Sequence, residues 1–223
     1  MKVLLIVAME SELQGFLNKL NTEVTLINGI KVYTCKVNNV DLYIAKSSVG
    51  KVNSACLTTA LCLKIKPRYV INAGIAGGLN PSINLVDVVA STKIMYHDFD
   101  LTAFGLNKGV MDEHDGVFKG SKKLLSLLNN DVKKGLLVSG DQFVSGINAM
   151  NEIKRHFPKA LACDMEGCSI AHAASLLSRK FLVIRAISDN VYLENHTAVY
   201  QDYKPLAIDK ISNVVIELLN KLC

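Results

Sequence analysis

The chain has no tryptophan, only 6% aromatic residues and no continuous basic stripe; its lysines come in scattered groups such as Lys122 with Lys123 and Lys133 with Lys134. A nucleic-acid surface needs clustered cations with aromatic rings for stacking. The net charge of +5 therefore reads as solvated faces, and no nucleic-acid partner is expected. Long hydrophobic runs are also missing. The longest, Val3 to Met9, falls far short of the roughly 20 residues that cross a bilayer, and no long apolar h-region with a small-residue cleavage site stands at the N-terminus. These absences predict a soluble, cytoplasmic protein with no membrane partner. The six cysteines (Cys35, Cys56, Cys62, Cys163, Cys168, Cys223) lack CxxC spacing and a nearby histidine cluster, which argues against a disulfide framework and against zinc. Buried, reduced thiols are expected instead. The histidines share no ligand spacing, so no metal is assigned.

What is present is core. Half of the 223 residues are apolar, ample for one sizeable interior. No linker, repeat or low-complexity tract divides the chain, and Pro67, Pro81, Pro158 and Pro205 are dispersed at element boundaries. A single domain over residues 1–223 follows. Val3 to Met9 predicts a strand buried on both faces, with a helix over Glu10 to Leu20. Three alternating segments, Val24 to Ile27, Lys31 to Val37 and Asp41 to Lys46, are separated by Asn28-Gly29 and Asn38-Asn39 and predict antiparallel hairpins. Gly50 to Lys66 predicts a helix with Val52, Cys56, Thr59 and Leu63 on its apolar stripe. Tyr69 to Ala73, Val86 to Ala90, Gly135 to Gly140, Ala160 to Met165 and Phe181 to Ile187 predict further strands, and Ala149 to Phe157 and Glu166 to Ser178 predict helices. Ile211, Val214, Val215, Leu218, Leu219 and Leu222 form one stripe of a C-terminal helix. The fold class is α/β, a three-layer α/β/α domain with a central mixed β-sheet. The irregular Tyr96 to Gly120 stretch is too long for an ordinary connection and points to function.

In open α/β sheets ligands gather at the carboxyl ends of strands. Here those ends read Ala8-Met9-Glu10-Ser11-Glu12, Asn72-Ala73-Gly74, Ser139-Gly140-Asp141-Gln142-Phe143, Cys163-Asp164-Met165-Glu166 and Arg185-Ala186-Ile187-Ser188-Asp189-Asn190. Any one of these acids is explained as a helix N-terminal charge, as for Glu12 and Glu166. Several converging on one sheet edge favour a cleft that needs both an acid and a base. Gly74 to Gly78 does not match the dinucleotide fingerprint, and its plain reading is a tight turn needing positive φ.

Taken in order, Ala8-Met9-Glu10-Ser11-Glu12-Leu13, Gly77-Gly78-Leu79, Tyr96-His97-Asp98 with Asp100, Thr102-Ala103-Phe104-Gly105, Ser139-Gly140-Asp141, Asp164-Met165-Glu166 and Arg185-Ala186-Ile187-Ser188-Asp189 resemble the 5'-methylthioadenosine/S-adenosylhomocysteine nucleosidases of the nucleoside phosphorylase superfamily. The resemblance spans nearly the whole chain. It implies hydrolysis of the N-glycosidic bond of an adenine thionucleoside, without a cofactor. It also implies that Glu12 activates water, with Arg185 near the water site, while Asp189 serves adenine N7. Phe143 would stack on the base, the Val144 backbone would read its edge, and Met165 and Glu166 would hold the ribose. Met9, Ile75, Ala76, Gly77, Asp164 and Ser188 would complete the binding site. An aromatic lid falls at Tyr200 with a one-residue shift, Val199 being the other option. The resemblance further implies a homodimer in which Leu101 and Phe104 of one subunit close the alkylthio pocket of the other. Ile75 stands where some relatives carry a hydroxyl residue.

The chemistry accords with two separated carboxylates: cleavage builds positive charge on the ribose and negative charge on the base, so an acid meets the base while a carboxylate serves water at the sugar. The rivals are a purine nucleoside phosphorylase, a nucleosidase for another adenine nucleoside such as 6-amino-6-deoxyfutalosine, and a non-catalytic nucleoside-binding module. Glu12 would repel a dianionic phosphate, which favours hydrolysis.

Overall fold

The computed structural model describes residues 1–190 and 196–222, with the side chains of 196–198 excepted. Cys223 and the side chain of His196 lie outside the described residues. The chain opens with β1 (Lys2–Val7) and α1 (Glu10–Leu17), then the meander β2 (Glu23–Ile27), β3 (Ile30–Val37) and β4 (Val40–Lys46). Helix α2 (Lys51–Ile65) leads to β5 (Tyr69–Gly78) and β6 (Val88–Tyr96). After a 3-10 turn at Thr102–Phe104 come β7 (Phe118–Lys119), α3 (Lys122–Leu127), β8 (Lys133–Ser139), α4 (Ile147–His156), β9 (Ala160–Asp164), α5 (Gly167–Leu176), β10 (Lys180–Asn190) and α6 (His196–Asn220).

The sheet runs β10-β6-β8-β9-β5-β1-β4-β3-β2, with β7 on β6 and a further pairing of β10 with β5. That last pairing curls one half of the sheet shut. Strand β5 lies parallel to β1 over its first residues and parallel to β10 along its whole length, and meets β9 antiparallel only at Gly77 and Gly78. The mixed character comes from the β2–β3–β4 hairpins, as expected, and also from the antiparallel β10–β6 pair.

Helices cover both faces. Residues of α1, α3 and α6 form one apolar layer with β1, β4 and β10, while α2 and α5 supply the layer on the other face. The continuous run Val3 to Val7 is fully buried, as a strand covered on both sides must be. The stripe on α6 is as the sequence predicts: Ile211, Val215, Leu218, Leu219 and Leu222 are all buried.

Helix α2 corrects an expectation. Its buried residues are Ser54, Thr58, Leu61, Cys62 and Ile65, whereas Val52 and Leu63 are 72% and 60% exposed and Cys56 faces out. Polar residues take the inner face because their hydrogen bonds are met there. The Ser54 and Ser169 hydroxyls lie 2.6 Å apart, and Thr58 Oγ1 donates to the Ser54 carbonyl. The exposed Cys56 and half-buried Cys35 likewise depart from uniformly buried thiols. Helix α3, which no periodic signal announced, is one short segment capped by the Ser121 hydroxyl. No helix among the described residues is long and apolar enough to cross a membrane.

Candidate active site

Six strands, β1, β4, β5, β8, β9 and β10, deliver residues to one pocket. After β1 the chain turns into α1, and Glu12 sits in the first helical turn, 3% exposed. Its carboxylate reaches back to accept from the Ala8 and Met9 N–H groups, both at 2.9 Å, and across to accept from the Ile75 N–H at 3.0 Å. Burial pushes its pKa up, while the Arg185 charge and the three N–H groups pull the other way. Capping and site are thus one arrangement: the helix-start explanation of Glu12 holds, and the same geometry aims the group into the pocket.

The glycine segment is not a turn. Gly74, Gly77 and Gly78 are extended residues of β5, none with positive φ. They are needed for space. A Cβ on Gly74 would stand 2.5 Å from Glu12 Oε1, and one on Gly77 would stand 3.1 Å from Asp189 Oδ2. Each of the two carboxylates is seated against a glycine of the same strand.

Asp189 follows an irregularity in the β10–β5 pairing between Ile187 and Asp189. The extra residue, Ser188, donates its hydroxyl to Asp189 Oδ1 at 2.6 Å, and both residues are buried. Glu166 stands at the N-cap position of α5 with no side-chain bond to the helix N–H groups, and accepts the Gly50 N–H at 2.9 Å. Burial, reinforced by the neighbouring Asp164 charge, pushes its pKa up to about 7.

Arg185 is placed differently from the expectation. It is 2% exposed and is not among the residues lining the pocket. Its guanidinium pairs with Asp164 at 2.7 Å and donates to the Asn72 carbonyl and side-chain oxygen. Asp164 also accepts the Ser139 hydroxyl and the Gly167 N–H. The arginine stands behind the wall and acts on Glu12 through its charge.

The structure brings Met9, Ile75, Ala76, Gly77, Phe143, Val144, Asp164, Met165, Glu166, Ser188, Asp189 and Tyr200 to one pocket with Glu12. Tyr200 meets Phe143 edge-on with ring centroids 5.7 Å apart, and its hydroxyl lies 3.9 Å from the Met9 sulfur. That contact selects Tyr200 over Val199 as the aromatic cover of this pocket. Leu101 and Phe104 do not line it; Phe104 is 81% exposed on the 3-10 turn.

Ala8, Val49, Gln142 and Cys163 line the pocket without having been assigned a role. Val49 lies just beyond β4, so the strand-end rule applied to that strand would have found it. Cys163 read as core thiol, and burial indeed pushes its pKa far up. Among the described residues no cluster of three metal-ligating side chains occurs.

Known proteins share this sequence pattern and fold. The family model described as "Phosphorylase superfamily" matches residues 2–220. The chain is 37% identical to the 5'-methylthioadenosine/S-adenosylhomocysteine nucleosidase of Glaesserella parasuis, covering 99% of both proteins. It is 36% identical to the enzyme of the same name from Haemophilus ducreyi, covering 99% of this chain and 98% of that one. Among solved structures, the S. pneumoniae nucleosidase with the transition-state inhibitor MT-ImmA superposes with a TM-score of 0.93 at 32% identity, covering all of both chains.

Proposed function

The chain belongs to the phosphorylase superfamily, and from that premise we propose that it hydrolyses the N-glycosidic bond of 5'-methylthioadenosine and S-adenosylhomocysteine, releasing adenine and the 5-thioribose product. The observation that carries this reading is the seating of two buried carboxylates, Glu12 and Asp189, against Gly74 and Gly77 of one strand. Those glycines lie roughly 10 Å apart at ~3.3 Å per residue, which leaves room for a ribosyl group between the two acids.

In this mechanism water attacks the anomeric carbon and gives its proton to Glu12. The carbon–nitrogen bond breaks with its electron pair going to the base, and Asp189 supplies a proton or hydrogen bond to N7. The raised pKa of Glu12 brings a carboxylate closer to the working pH of a general base. Glu166 takes the ribose hydroxyls beside Met165, Phe143 stacks on adenine, and the Val144 backbone reads its edge. Arg185 is a positioning residue, neutralising Asp164 and holding Asn72 while its charge keeps Glu12 ionisable.

Phosphorolysis is the competing reaction within the superfamily. A dianionic phosphate needs cations, and no lysine or arginine is among the described residues that line the pocket. Incubation with methylthioadenosine in phosphate-free buffer, with chromatography of the products, tests the reading. Free adenine and methylthioribose are expected. A sugar 1-phosphate appearing on addition of phosphate would overturn it.

The active unit is proposed to be a homodimer. Val52, Leu63 and Phe104 are exposed apolar side chains of a kind that association covers, and Leu101 and Phe104, absent from their own pocket, would close the alkylthio end of the partner's. A cytoplasmic setting goes with this reading, since Cys35, Cys56, Cys62, Cys163 and Cys168 are free thiols.

A further inference from the structure

Of the pocket's carboxylates, Glu12, Glu166 and Asp189 are engaged by water, sugar and base in the proposed reaction, and Asp164 is held by Arg185. Its remaining wall, Met9 and Val49 with Tyr200, is largely apolar and suits a thioether. Met9 and Val49, together with Ala8, also line a second and more open groove, so the two spaces share one rim. Beyond that rim the chemistry changes: the groove is lined by Glu10, Ser11, Lys46, Ser48 and Lys204. Lys46 is committed to Glu10 at 2.6 Å. The Lys204 ammonium instead lies over the Tyr200 ring, 5.5 Å from its centroid. Tyr200 and Lys204 are four residues apart on α6, which puts the aromatic cover and this ammonium on one helix face.

We propose that this groove is the subsite for the zwitterionic amino-acid end of a 5'-thio-linked nucleoside, with Lys204 taking the α-carboxylate and the Glu10 side facing the α-ammonium. The inference rests on the hydrolysis proposed above. Methylthioadenosine and S-adenosylhomocysteine share adenine, ribose and thioether, and only the second carries an α-amino acid, two methylenes beyond the sulfur. Those methylenes cross the apolar rim of Met9 and Val49, and the charged end emerges where the cations stand. Lys204 thereby discriminates between two substrates that the carboxylate side of the pocket treats alike.

The test compares kcat/KM for the two nucleosides in the wild type, Lys204→Met, Lys204→Glu and Lys204→Arg. A partly exposed ion pair is weak, so the S-adenosylhomocysteine to methylthioadenosine ratio is expected to fall about threefold in Lys204→Met and about tenfold in Lys204→Glu, mainly through KM. Lys204→Arg should restore it. Raising salt from about 0.05 to about 0.5 M should lower the wild-type ratio and leave that of Lys204→Met unmoved. Loss of both activities in proportion would make Lys204 a prop for Tyr200 and overturn the inference, as would an unchanged ratio in all three variants. Wild-type protein that releases adenine from neither nucleoside would overturn the hydrolase reading itself, and the subsite with it.

Discussion

Glu12, Asp189 and Glu166 are each no more than 7% exposed and each accepts a hydrogen bond from a fixed backbone or hydroxyl group, whereas across the pocket Phe143 is 49% and Val49 45% exposed. The first side is assembled from strand ends, and its geometry is over-determined by the sheet. The second is assembled from residues between elements and from α6, and its contacts are an edge-on ring pair and a hydroxyl–sulfur approach. The difference separates two tasks. Groups that meet developing charge must be preorganised, and in the proposed reaction these are the ones built into the chain's own core; the proposed dimer would complete the open side, where the 5' substituent would lie.

Removing a carboxylate should break the first side most severely. Glu12→Gln keeps the volume but cannot take a proton, and kcat is expected to fall by roughly 10² to 10⁴. Asp189→Asn should lower kcat by roughly 10² or more with little change in substrate binding, because its help comes as charge develops on the base. Steady-state adenine release measures both. Near-normal turnover in either variant would mean that the buried side does not carry the chemistry.

A smaller disturbance reaches the same side through the strand. Gly74→Ala would put a Cβ 2.5 Å from Glu12 Oε1, and the carboxylate cannot retreat without loosening its bonds to the Ala8, Met9 and Ile75 N–H groups. A misplacement near 1 Å costs about 10²-fold where geometry is catalytic, so kcat should drop by about 10- to 100-fold with adenine affinity retained. Gly77→Ala, with 3.1 Å to Asp189 Oδ2, should be milder. A Gly74→Ala enzyme within twofold of wild type would show that Glu12 has slack which its hydrogen bonds do not suggest.

The open side breaks differently. Phe104→Ala removes an 81% exposed ring that touches nothing in its own pocket. If the dimer completes the alkylthio pocket, the variant should lose up to about tenfold in binding 5'-alkylthio compounds relative to adenosine-like compounds without that tail, near the upper range for an interface side chain that is not a hot spot. Equal losses for both classes, or full activity of a sedimenting monomer, would remove the partner from the site.

How much of this was legible follows the same division. Strand ends announce themselves, because an apolar run stopping at a polar residue is a local signal; Glu12, Asp189, Glu166 and Met165, named this way or by resemblance, lie together at one pocket. The outward stripe of α2 was misread because Val52 and Leu63 have core chemistry, while Ser54 and Thr58 are buried only because α5 and the helix itself meet their hydroxyls. Arg185 was expected near the water by resemblance alone, and only the fold reveals that Asp164 and Asn72 already hold it. The glycines of β5 were taken for a turn since sequence cannot distinguish a glycine needed for φ from one needed for space. Closure of the sheet through β10 and β5 rests on pairings more than a hundred residues apart, and no local pattern encodes it.

Ile75 sharpens the comparison at its most subtle point, since it belongs to the carboxylate side yet carries no polar side chain. Its contribution to Glu12 is the backbone N–H at 3.0 Å, which any non-proline residue supplies. The orienting hydroxyl for Asp189 comes from Ser188, so none is needed from position 75. The Ile75 side chain is half-buried and packs against the apolar layer beneath α1 and α6. Ile75→Val should therefore act through volume alone: one lost methylene costs about 0.5–1.5 kcal/mol of stability, a fall in Tm of roughly 1–6 °C for a chain of this size. The rate should change less, by under about tenfold in kcat/KM, which corresponds to 1.4 kcal/mol. Thermal melts and adenine-release kinetics on the same preparation separate the two effects. A loss beyond about a hundredfold with an unchanged circular dichroism spectrum would mean that the side chain, and not the N–H, sets where Glu12 sits, and that even the buried half of the pocket is tuned by packing.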